Sequence, residues 1–168
     1  MIIILKLIHI IAATFWVGSN MFMAFFLYPT VKKSGEDGNK FLANLPKTNK
    51  FPVLMSIMSM LTIISGLGLI AIISGGFKIS FFTTVQGIGL SSGGILAILG
   101  FLHGFFVIKP CGEKLAEIGK NIALNKVEMN DKIKAEIENL NSKIASSTNF
   151  ECSILVIALV LMIISKYI

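Results

Sequence analysis

The chain contains no arginine: all fifteen of its basic residues are lysine. Any mechanism that needs a guanidinium fork is excluded. Charge is scarce altogether, with 14% charged residues against 54% apolar residues, too little to coat a water-soluble surface. Cysteine occurs only at Cys111 and Cys152, which have no metal-ligand spacing. There is no phosphate-cradling glycine loop, no Ser/His/Asp arrangement beyond what composition provides, and no paired carboxylate in the apolar stretches. Enzymatic activity therefore has no support in the residue pattern.

What the chain does have is four long stretches almost free of charge, at 7–31, 51–77, 79–108 and 152–165. Crossing the apolar core of a bilayer takes roughly 20 residues of helix. The first three stretches exceed that length, and the fourth reaches it when counted over 149–168. The expected fold class is all-α, an integral membrane four-helix bundle in one domain over 1–168, with spans at about 2–28, 51–74, 81–108 and 149–168. The first span is too long for a cleavable signal peptide and lacks a small-residue cleavage pattern, so it is expected to remain as an anchor. Tyr28-Pro29 is the expected stop of the first span, Phe51-Pro52 the start of the second, Gly75-Gly76 a tight turn, and Ile108-Lys109-Pro110 the end of the third.

The net charge of +6 is not a nucleic-acid signature, because the lysines lie in the connections. Five of them fall between Lys32 and Lys50, against Glu36 and Asp37, whereas the turn from Ser74 to Ser80 has only Lys78. The seven lysines between Lys109 and Thr148 are nearly balanced by acidic residues, so the first loop carries the argument. Positive loops stay cytoplasmic, which places both termini outside a cell membrane. The lipid bilayer is the first partner implied; a homo-oligomer or a larger membrane complex is the second.

The connection after the third span is itself patterned. Apolar residues recur at Leu115, Ile118 and Ile122, then at Met129, Ile133, Ile137, Leu140 and Ile144, which is helical spacing with one apolar stripe. Residues 125–131 interrupt it, with Asn130 or Asp131 available to cap a second helix. This predicts a cytoplasmic amphipathic helical hairpin over about 111–147. In the third span, Gly89, Gly93, Ala97, Gly100 and Gly104 form a small-residue stripe that lets another helix approach closely, and Ser65, Gly66 and Gly68 of the second span offer it a surface.

Both histidines, His9 and His103, lie within the spans, where ionisable groups are costly enough to count as site candidates. His9 shares a helix face with Ala13, Trp16, Asn20 and Ala24, a face too polar for lipid. The first and third spans run the same way, with His9 early in one and His103 late in the other, so their depths differ by roughly 10 to 20 Å. One haem cannot take both. A haem b at His9 finds a second candidate ligand in Met162. A copper site at His103 finds Met55, Met58, Cys111 and Cys152, a donor set that suits copper(I). Haem, copper and no cofactor all stay open at this point, with each imidazole then an internal hydrogen-bonding group. Glu151 reads as an interfacial residue at the base of the hairpin.

His9, Trp16 and Gly18 in Leu7-Ile8-His9-Ile10-Ile11-Ala12-Ala13-Thr14-Phe15-Trp16-Val17-Gly18, followed by Tyr28-Pro29, resemble the first helix of a loose group of four-helix membrane domains. The group includes CopD-like copper-resistance domains, HemJ-type protoporphyrinogen oxidases and uncharacterised four-span proteins, which the chain is most similar to. Phe51-Pro52, Ile108-Lys109-Pro110 and the helical connection extend the likeness over most of the chain. The HemJ-type likeness implies haem held by His9; the CopD-like likeness implies copper uptake or tolerance. The HemJ-type enzymes use a basic motif after the second span, where this chain has Gly75-Gly76-Phe77-Lys78 and so a single lysine.

Overall fold

The computed structural model describes residues 2–35, 37–39, 41–42, 50–124 and 129–167. Four long helices organise it: α1 (Ile2–Lys33), α2 (Phe51–Ile73), α3 (Val85–Ile122) and α4 (Asp131–Ile164). Each contains an 18-residue window of mean hydropathy between 1.8 and 2.2, long and apolar enough to cross a bilayer. No strand occurs among the described residues. The protein is an all-α, multi-pass integral membrane protein. Its outward side chains are large and apolar, as lipid requires: Ile3, Phe25, Ile64 and Ile95 are all well exposed.

Two of the helices run past the prolines expected to stop them. Proline removes one amide donor and crowds the carbonyl four residues earlier, which here is that of Phe25 for Pro29 and Phe106 for Pro110. The chain accommodates both by widening a single turn into π geometry, at Met23–Leu27 and at Gly104–Ile108. Helix then continues to Lys33 and to Ala123. The amphipathic helical hairpin expected between the third and fourth spans is present, and both its arms are continuous with those spans. It is the extension of α3 laid against the first half of α4, which begins at an Asn130 cap, its Oδ1 accepting from the amide of Ile133 at 3.0 Å.

Tyr28, Val31, Leu42, Cys111, Leu115 and Ile144 form the buried cluster beneath the spans, with Ile137 and Leu140 packed against it. A Lys114–Glu136 ion pair at 2.6 Å ties the two arms across their wet side. Between α2 and α3 the chain reverses through Gly75, Gly76 and Phe77, all at positive φ, and the Phe77 amide donates to Ser74 Oγ at 2.8 Å.

The glycine stripe of α3 faces α4 rather than α2. A methyl group at position 93 would stand 2.8 Å from the Ala158 carbonyl oxygen and 2.7 Å from Met162 Cγ, and one at position 100 would stand 3.2 Å from Leu155. Gly66 and Gly68 instead receive His9 and Leu5 of α1. The bundle is therefore two close pairs, α1 on α2 and α3 on α4. The pairs meet around Trp16, Ala97 and Leu155.

Candidate functional site

Where the pairs meet, the structure places a carboxyl group. Glu151 of α4 is only 4% exposed. The indole of Trp16 donates to its Oε1 at 3.2 Å, and the Asn20 amide donates to the same oxygen at 3.4 Å. Trp16 and Asn20 are one helical turn apart on α1, and a second Asn20 bond to the Trp16 carbonyl, at 3.1 Å, fixes the amide. Gly100 and Gly104 of α3 leave the room that the acid occupies: a methyl group at position 104 would lie 3.0 Å from Oε2. One turn toward the hairpin, the side chains of Tyr28 and Thr148 are neighbours. Glu151 stands at the base of the hairpin as expected, but its side chain faces inward, enclosed by residues of three helices.

The polar face expected around His9 is present further along α1, where Trp16, Asn20 and Ala24 are buried. His9 itself is half-buried and turned toward α2, its ring seated on Gly66. Its Nδ1 lies 3.0 Å from the carbonyl oxygen of Thr62 and 3.2 Å from Ser65 Oγ. A carbonyl can only accept, and the Ser65 hydroxyl already donates to the Leu61 carbonyl, so in the neutral ring the proton sits on Nδ1. The lone pair is then at Nε2. A ring held by Nδ1–H on a backbone carbonyl, with Nε2 free, is the arrangement of a metal-ligating histidine. In that respect His9 fits a haem or metal ligand. Met162 is seated elsewhere, its side chain lying over Gly93 of α3.

His103 packs edge-on against Phe150 with ring centroids 5.1 Å apart, and its Nδ1 is buried without a hydrogen-bond partner. Because Phe150 adjoins Glu151, this ring belongs near the Trp16 layer. His9 is seven residues, or about 10 Å, earlier on α1. The remaining candidate ligands are dispersed. Cys111 belongs to the cluster beneath the spans, whereas Met55 and Met58 pack around Trp16, Ala97 and Leu155. Cys152 is a buried free thiol beside Glu151. Among the described residues no group of three His, Cys, Asp or Glu side chains converges as a metal site would require. A groove of about 410 Å³ bordered by Gly18, Phe22, Phe41 and Phe51 has neither histidine in its wall.

The chain matches no family model, no curated protein and no solved structure. Its function has to be argued from the geometry.

Proposed function

We propose that this integral membrane protein holds a redox group, haem b first among them, at Nε2 of His9 and serves as an accessory component of a membrane redox system. The observation that supports the reading is the Nδ1–H bond to the Thr62 carbonyl. It orients the ring and leaves the ligating nitrogen unengaged. Ser65 adds a second acceptor to the same proton, and Gly66 provides the flat surface on which the ring rests. When bound, haem would supply a one-electron couple within the bilayer. The chain's own contribution would be to anchor one ligand at His9; Met162, packed over Gly93 in the other helix pair, does not join it.

Copper handling is the less favoured alternative, because Cys111 belongs to a different buried cluster from Met55 and Met58 and no three candidate side chains converge among the described residues. An absorption spectrum with metal analysis on protein purified in mild detergent tests the reading. A Soret band lost in His9→Ala and kept in His103→Ala is the expected result. A band lost only in His103→Ala would move the ligand to the other histidine. Colourless, metal-free protein would leave the chain as a structural subunit of a larger membrane complex.

A further inference from the structure

Glu151 is used by nothing in the haem reading, and its surroundings are unusual for a bilayer. A carboxyl group withdrawn from water costs several kcal/mol unless it is paired or hydrogen-bonded, and intramembrane acids mark ion or proton pathways. Here both donors, Trp16 and Asn20, engage Oε1. Oε2 lies beside Gly104 and is the oxygen that the Trp16 and Asn20 donors leave out. No lysine is paired with the acid among the described residues. A proton is the one small cation that needs no further oxygen ligands, so it suits a lone carboxyl without a coordination shell.

The two sides of the acid differ. Toward the hairpin, α4 buries Thr148, Ser147 and Asn141, Thr148 is a neighbour of Tyr28, and Asn141 donates to Asn39 at 2.7 Å. Thr148 and Ser147 are the polar groups next to the carboxyl along α4; Asn141 lies ten residues, about 15 Å, away, with Ile144 of the apolar cluster between them. Toward the other face α3 and α4 bury Ala97, Leu155 and Ala158, which offer a proton no side-chain acceptor, while the buried Thr62 and Ser65 hydroxyls of α2 donate to carbonyls of their own helix. The titratable groups near Glu151 are Tyr28 on α1, His103 on α3 and Cys152 on α4; the α2 residues packed here, Met55, Met58 and Ile63, carry no titratable group.

We propose that Glu151 is an intramembrane proton-binding site that exchanges protons with the hairpin side through Tyr28 and Thr148 and is closed toward the opposite face by Leu155 and Ala97. Uptake forms one O–H bond at Oε2 with a proton from water on the hairpin side. Release returns the proton along the same groups, and no oxidant or reductant takes part. The inference is independent of haem and stands or falls on Glu151 alone.

Trp16 provides the probe, being the chain's only tryptophan and bonded directly to the acid. In full-length protein in lipid nanodiscs, Trp16 emission should follow a single-site titration between about pH 4 and about pH 10. In Glu151→Gln it should be flat. An unchanging wild-type signal, or the same titration in Glu151→Gln, overturns the proposal. In case that variant does not assemble, wild-type protein is treated with dicyclohexylcarbodiimide, which attacks apolar, protonated carboxyls. Peptide mass mapping should find the adduct on Glu151, less of it as pH rises; an unreacted Glu151 at every pH contradicts the site. For the route, Thr148→Val and Tyr28→Phe should each slow the emission change after a pH jump about tenfold, the worth of one relay hydrogen bond. Leu159→Val, on the exposed side of α4, should leave the rate unchanged, and equal slowing in all three would refute access from the hairpin side.

Discussion

Gly93→Ala is the sharpest test of how the bundle is held together, because its neighbour in sequence supplies the control. A methyl group at 93 would lie 2.8 Å from the Ala158 carbonyl oxygen, some 0.6 Å inside the 3.4 Å at which ordinary contact begins. That oxygen belongs to helical backbone, so relief requires α3 and α4 to separate. Overpacking of this kind costs about 1–3 kcal/mol. At Gly94 the same methyl group would meet only Ile70 Cδ1, at 3.8 Å, an ordinary contact with the end of a flexible side chain. There the substitution removes a mid-helix glycine, a gain of up to about 1 kcal/mol. For a chain of this length 1 kcal/mol corresponds to roughly 2–4 °C in Tm. Thermal unfolding in mild detergent should therefore lower Tm by about 2–12 °C for Gly93→Ala and leave it unchanged or slightly higher for Gly94→Ala. Equal losses would show that any added volume in this helix is resisted. A neutral Gly93→Ala would mean that α4 does not fill the stripe.

Other substitutions test the remaining parts. Leu115 is 6% exposed in the cluster beneath the spans, so Leu115→Lys should cost several kcal/mol and show as loss of monodisperse protein on size-exclusion chromatography. Lys114→Gln breaks the solvent-exposed pair with Glu136 and should shift stability by less than about 1 kcal/mol; comparable damage from both would remove the distinction between the buried and wet sides of the hairpin. For orientation, single cysteines belong at Ser80 and Lys132, both exposed, since Gly76 has φ +86° and a side chain at Gly38 would collide with the Val31 carbonyl. With five lysines in the first connection, a membrane-impermeant maleimide added outside intact cells should label Ser80→Cys and spare Lys132→Cys. The opposite pattern inverts the topology.

Four spans, a glycine turn, an Asn130 cap and an apolar stripe on the connection are local properties. Bilayer thickness fixes how many apolar residues a span needs, and helical periodicity fixes which side chains share a face, so each can be counted along the chain. His9 and His103 were visible for the same reason, as ionisable residues inside apolar runs. The partner of the glycine stripe could not be counted. Both α2 and α4 present small residues, and only the packing of the helices chose Ala158 and Met162 over Ser65, Gly66 and Gly68. The two prolines read as stops because the sequence does not say whether a turn will widen to absorb them, as Met23–Leu27 and Gly104–Ile108 do. Glu151 was hidden most completely. It stands where the polar half of α4 gives way to the apolar half, which in one dimension is a membrane edge. Its burial depends on Trp16 and Asn20, 135 and 131 residues away, and on the space that Gly100 and Gly104 leave across the bundle. A carboxyl group's surroundings are set by whichever helices close around it, and that is decided only when all of them have packed.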